Sequence, residues 1–196
     1  MKNWKVILIG GSSATGKSYL ARQLSNHYKI PMMEVDDIRI VLQKTIERKL
    51  NPNLFFFLDN PDFINKFETE ELAKNLLKVG DEIWPALKVL IGKHIACDEP
   101  IIFEGDGIIP NLIAKENFKD VLPIFIHDSK ENILERDIKR SRGENYNVDF
   151  ANKQSDFSLT YGKEIMKQAK ESNMVTIAAT PINNLFDRTI EKIEST

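Results

Sequence analysis

The sequence predicts an α/β fold, a five-stranded parallel sheet flanked by helices. Short apolar runs alternate with helical patterns from one end of the chain to the other, as expected of βα units that build a parallel sheet. A glycine-rich turn also separates the first apolar run from the first helical pattern. Turns at the carboxyl ends of strands are where open α/β sheets gather ligands.

The elements follow in order. Lys5–Ile9 is an apolar run fit for a strand buried on both faces. Ser18–Tyr28 is helical, with Leu20, Ala21 and Leu24 on one face. Pro31–Val35 gives a second strand, and Asp37–Lys49 a second helix with Ile38, Val41, Leu42 and Ile46 inward. Ile101–Phe103, Leu122–Ile126 and Val175–Ala178 are the third, fourth and fifth strands. The helix after the fourth strand opens with Asp128 and Glu131 at capping-box spacing. The last opens at Thr180-Pro181, a cap followed by a first-turn proline. About fifty residues between the second helix and third strand are too many for a loop. They read as a helical excursion over residues 50–97, with helices at Phe63–Val79 and Asp81–Ala96, the latter interrupted at Trp84-Pro85. Phe55–Phe57 is expected to pack against the body rather than to wall a substrate site.

Composition narrows the function. The 196 residues, 42% hydrophobic and 29% charged, suit one globular domain. Basic and acidic residues number 27 and 29, so the chain lacks the broad positive field expected for nucleic acid or an anionic membrane. The balance leaves room for a local basic pocket. Cys97 is alone, which rules out an internal disulfide, and is expected to be a small buried residue on a helix. With His27, His94 and His127 scattered, no zinc-ligand spacing exists, and His94 and His127 read as structural. The run Val6–Ile9 is too short for a signal-peptide core or a membrane span, so a cytoplasmic protein without a membrane partner is expected.

One motif carries chemistry. Gly11-Ser12-Ser13-Ala14-Thr15-Gly16-Lys17-Ser18 matches G-x-x-x-x-G-K-[ST], the phosphate-binding P-loop, between a strand and a helix as its mechanism requires. Gly11 and Gly16 allow conformations a side chain would block, so that successive N–H groups face one anion-sized concavity. The following helix adds its positive N-terminal end. Lys17 suits the β- and γ-phosphates, Ser18 suits Mg²⁺, and Tyr19 adjoins them as a further nucleotide contact. ATP and Mg²⁺ are therefore the expected cofactors. A GTPase is disfavoured, because the nearest N-K-x-D element, Asn152-Lys153-Gln154-Ser155, ends in serine.

Three further segments resemble small-molecule kinases of the P-loop superfamily. Met33-Glu34-Val35-Asp36-Asp37-Ile38-Arg39 places an acid after the second strand, as in zeta toxin-like and chloramphenicol phosphotransferase-like kinases. Ile101–Pro110 resembles the strand–E-G–turn–P segment of 2-phosphoglycerate kinase-like proteins, with Gly107 where those usually carry histidine. Leu134-Glu135-Arg136, Arg140 and Arg142 resemble their lid, expected over residues 136–155. The resemblance also implies that Ala179-Thr180-Pro181 wraps the adenine, making Pro181 a nucleotide contact.

Asp36 is the candidate catalytic base or acceptor contact; a metal ligand and a helix cap stay open as other roles. Glu104, ending the third strand, is a candidate for Mg²⁺ or the acceptor, and Asp106 for the acceptor. Arg136 and Arg140, four apart on a helix, suit the charge developing in phosphoryl transfer or pair within the helix. Arg39 is a candidate for an anionic acceptor or a solvated charge. The expected function is an ATP- and Mg²⁺-dependent kinase acting on a hydroxyl of a small molecule. The alternative is a nucleotide-binding ATPase switch that has no acceptor.

Overall fold

The computed structural model describes residues 4–140 and 148–195. Its centre is β1 (Val6–Gly11), all six residues of which are buried. Alternation along the strand sends Val6 and Leu8 into one apolar layer, Ile7 and Ile9 into the other. Around it stand β2 (Met32–Glu34), β3 (Ile101–Glu104), β4 (Val121–His127) and β5 (Val175–Ala178). They form a five-stranded sheet in the order β2-β3-β1-β4-β5, every pair parallel. The fold class matches the expectation. Because β3 and β4 both flank β1, the strand order reverses there, and a crevice opens at its carboxyl end.

On one face lie α1 (Lys17–Tyr28) and α9 (Leu185–Glu194), with Leu20, Leu24 and Leu185 in the layer beneath them. After β2 comes α2 (Val35–Thr45); α3 (Phe56–Asp59) and α4 (Phe63–Lys66) then begin the excursion, which continues into α5 (Thr69–Ala96). After β3 come α6 (Pro110–Ala114), then α7 (Lys130–Arg140) beyond β4, and α8 (Val148–Glu171). α5 and α8 bury Ile83, Leu87, Tyr161 and Ile165 over the second face. No helix among the described residues is long and apolar enough to cross a membrane.

The structure corrects several expectations. β2 ends at Glu34, so Asp36 sits in the first turn of α2 rather than at a strand end. Val41, expected inward, is 59% exposed. The two excursion helices are one 28-residue helix running through Gly80 and Pro85. A proline removes one N–H from a helix ladder, and burial of Ile83, Trp84 and Leu87 around it outweighs that loss. Cys97 is exposed, just past the end of α5.

Two expected caps are also replaced. Asp128 does not form a capping box; its carboxylate accepts from the Ser129 N–H and the Asn132 side chain, while Ser129 Oγ accepts the Asn132 N–H. Thr180 caps no helix, because its hydroxyl donates to Asp128 at 2.8 Å and a 3-10 turn at Ile182–Asn184 precedes α9.

Residues 148–155, expected in a lid, are the opening turns of α8. Of the rest of that expected element, residues 136–140 close α7, and residues 141–147, including Arg142 and Gly143, lie outside the described residues. α8 was not foreseen as a helix. Its buried face interleaves Phe157, Tyr161 and Ile165 with Ser155, Ser158 and Gln168. Ser155 donates to the Ala151 carbonyl and Ser158 to the Ser13 carbonyl, so these hydroxyls are buried without penalty. Phe57 and Phe63 lie against Phe157, and Phe55 is buried.

Pro85→Ala restores an N–H to the interior of α5 at an exposed position. It is expected to raise stability by about 1–3 kcal/mol in urea unfolding, from the difference in helix propensity; a loss would mean that the ring itself sets the helix path.

Candidate active site

The turn after β1 is shaped by two glycines and tied down from outside. Gly11 has φ +137°, and a Cβ there would lie 2.2 Å from the Ile126 carbonyl oxygen. Gly16 has φ +95°, and its Cβ would lie 2.9 Å from Ile182. No larger residue fits either place. Between them the carbonyls of Ser12, Ser13 and Ala14 are each taken by a donor. Thr15 Oγ1 and Lys17 Nζ both donate to the Ser12 carbonyl at 2.8 Å. Ser158 donates to the Ser13 carbonyl at 2.7 Å, and Arg136 Nη1 to that of Ala14 at 2.7 Å. A loop with its carbonyls held in this way keeps its N–H groups for an anion.

Lys17 is only 7% exposed. Its ammonium lies 2.5 Å from Asp106 Oδ1, in the turn after β3. The Tyr161 hydroxyl of α8 donates to the Asp106 carbonyl, which fixes that turn from below. Glu104 ends β3 at 3% exposure, and its carboxylate is hydrogen-bonded by Ser18. Burial pushes the Glu104 carboxyl up from the usual glutamate range; Ser18 and Lys17 oppose this, while Glu34 and Asp106 add to it.

These groups face a cavity of about 500 Å³. Its walls are Ser13, Ala14, Gly16, Lys17 and Ser18 of the loop; Tyr19 and Arg22 of α1; Glu34 and Asp36; Glu104, Gly105 and Asp106; and Arg136 and Lys139 of α7. Of the residues proposed from sequence, the structure thus brings Lys17, Ser18, Tyr19, Asp36, Glu104, Asp106 and Arg136 to one cavity. Gly11, Ser12 and Thr15 are buried within the loop. Arg39 is not on the lining; its guanidinium lies 3.2 Å from Asp36. Pro181 is not on the lining either, and its carbonyl accepts from Arg188. The side chain of Arg140 lies outside the described residues.

Arg136 has a different setting from a free lid arginine. Besides Ala14 it pairs with Asp128, whose side chain is 4% exposed, so it braces the loop while forming part of the cavity wall. Arg22, Glu34 and Lys139 were missed. Arg22 stands four residues after Ser18 and Lys139 three after Arg136, so helical spacing from residues already selected would have found both. Arg188 was missed as well; it donates to the carbonyls of Ala178, Ala179 and Pro181 and fixes the turn after β5.

No family model matches the chain. It is 26% identical over 123 residues to a 2-phosphoglycerate kinase of Methanocaldococcus jannaschii, covering 62% of this chain and 40% of that protein. It is 22% identical over 199 aligned positions to the 2-phosphoglycerate kinase of Methanococcus vannielii, covering 95% and 63%. The chain therefore spans between 40% and 63% of the length of these curated relatives. Among solved structures, a shikimate kinase of Bacteroides thetaiotaomicron superposes with TM-score 0.55 at 14% identity, over 96% of this chain and 98% of that one. A gluconokinase of Sinorhizobium meliloti gives 0.54 at 13% identity, over 100% and 94%. The chain has the fold of these P-loop kinases, and in sequence it is similar to small-molecule kinases.

Proposed function

We propose that the chain transfers the γ-phosphoryl group of ATP, with Mg²⁺, to a hydroxyl of a small molecule. One observation carries this reading: a single cavity joins the P-loop lysine to carboxylates on the facing wall, Glu34 and Asp36. A nucleotide switch needs the loop but not that wall. The kinase names of the curated relatives support the same chemistry.

In this reading the phosphates rest on the loop N–H groups, and Lys17 turns from Asp106 to the β- and γ-phosphates. Arg136 and Lys139, on the same side of the cavity, meet the charge spread over the transferring group. Asp36 accepts the proton of the attacking hydroxyl, and Arg39 at 3.2 Å orients its carboxylate. The donors available for Mg²⁺ are the Ser18 hydroxyl and the Glu104 carboxylate, already hydrogen-bonded to each other. No group of three or more His, Cys, Asp or Glu residues that could hold a metal occurs among the described residues. Such a sparse set of hard oxygen donors fits Mg²⁺, which is commonly held by one or two carboxylates together with phosphates. When bound, the ion neutralises phosphate charge.

Asp36→Asn is expected to leave ATP affinity in place and to lower phosphoryl transfer by at least about 10², measured as acceptor-dependent ADP release; unchanged turnover would remove the assignment. Glu104 gives a second expectation. Its folded pKa lies above its unfolded value. The stability it contributes is therefore present below the ordinary glutamate range and lost as pH rises through the raised value. Glu104→Gln should be more stable than the parent at pH 7, the two converging below about pH 4.5. Thermal unfolding across pH checks this, and a destabilised variant at pH 7 would contradict it.

A further inference from the structure

The charges on the cavity's lining are divided by element. Among the described residues, the side-chain cations on that lining stand on the two helices beside the loop: Lys17 and Arg22 on α1, Arg136 and Lys139 on α7. The facing wall, at the ends of β2 and β3, carries Glu34, Asp36, Glu104 and Asp106. Glu34 and Glu104 are register partners across the β2–β3 pair, so their carboxylates spring from adjacent strand positions. Arg39, the one cation on this side proposed from sequence to hold an anionic acceptor, stays off the lining and is engaged by Asp36 at 3.2 Å.

From this we infer that the acceptor is an uncharged or cationic hydroxyl compound, such as a polyol, nucleoside or amino sugar, and not a phosphorylated or carboxylated one. The inference rests on the kinase reading above and names its substrate class. Binding of a nucleotide sharpens the selection. Asp106 is neutralised by Lys17 at 2.5 Å while the loop holds no phosphate. Once Lys17 turns to the phosphates, Asp106 presents its charge to the acceptor side. An acceptor phosphate or carboxylate would then meet the like charges of Glu34 and Asp106, with no side-chain cation among the described residues at the ends of β2 and β3 lining the cavity to answer it. Hydroxyls instead donate to the carboxylates, and an ammonium pairs with them. Specificity here comes from repulsion as much as from attraction. The chain in this respect departs from what the name of its curated relatives would suggest, since 2-phosphoglycerate carries both a phosphate and a carboxylate.

The test uses the full chain with Mg-ATP, reading ADP release against two panels, with Lys17→Ala as blank. One panel holds sorbitol, inositol, nucleosides and kanamycin. The other holds gluconate, shikimate, sugar phosphates and 2-phosphoglycerate. The best compound of the first panel is expected to exceed the best of the second by at least about tenfold in kcat/KM. Glu34→Gln, checked for folding by circular dichroism, should narrow that ratio, by about tenfold, through a lower KM for the anions. An anionic best acceptor for the parent chain overturns the inference and leaves the kinase reading standing. A folded Glu34→Gln with an unchanged ratio also overturns it. ADP release that no compound raises above the acceptor-free rate overturns the kinase reading itself.

Discussion

A lysine ammonium that is 7% exposed needs anions within reach, and the site is organised around meeting that need. Lys17 finds the Ser12 carbonyl at 2.8 Å and Asp106 at 2.5 Å. Each partner is itself held. The Ser12 carbonyl also accepts from Thr15, and the Asp106 turn is fixed by the Tyr161 hydroxyl from α8. The cost of burying a charge is thereby offset by a partner from the turn after another strand, β3, so that the loop and that turn form one unit. In the proposed reading, a phosphate that displaced Asp106 would take over an ammonium already desolvated.

The sheet order makes this geometry possible. With β3 and β4 on either side of β1, the crevice at its carboxyl end receives the Glu104–Asp106 turn from one neighbour and Asp128 from the other. Asp128 in turn holds Arg136, whose guanidinium reaches back to the Ala14 carbonyl. The loop is thus braced by α7 and α8 from behind, while acidic groups gather in front. The division of charge on the lining follows from the element each residue stands on, cations on α1 and α7 and carboxylates at or just past the ends of β2 and β3, and not from any charge excess in the chain as a whole.

Much of the fold was legible because its signals are local. The unbroken apolar run into β1, the P-loop spacing and the strand runs at β3, β4 and β5 place those elements to within about two residues. Elements stabilised by tertiary contacts were not legible. α5 continues through Gly80 and Pro85 because its apolar face is buried on both sides of them. α8 hides behind buried serines whose partners, Ala151 and Ser13, a sequence scan cannot pair with them. For the site, the motif itself and Glu104 were legible, since a strand end beside the loop is predictable. Glu34 was passed over for Asp36 because the strand proved shorter than its apolar run suggested. Arg39 and Pro181 stand off the lining, where Arg39 pairs with Asp36 and the Pro181 carbonyl accepts from Arg188, contacts that no local sequence pattern announces.

Calorimetric titration of Mg-ATP into the parent chain, Lys17→Ala and Asp106→Asn tests the central claim most directly, that Asp106 holds the lysine which the phosphates will claim. Lys17→Ala is expected to weaken binding by about 10² or more, through loss of a desolvated charge partner. Asp106→Asn is expected to bind Mg-ATP at least as tightly as the parent, because the competing carboxylate is gone. Binding of Mg-ATP by Lys17→Ala with parental affinity would contradict the account, as would a loss in Asp106→Asn equal to that in Lys17→Ala.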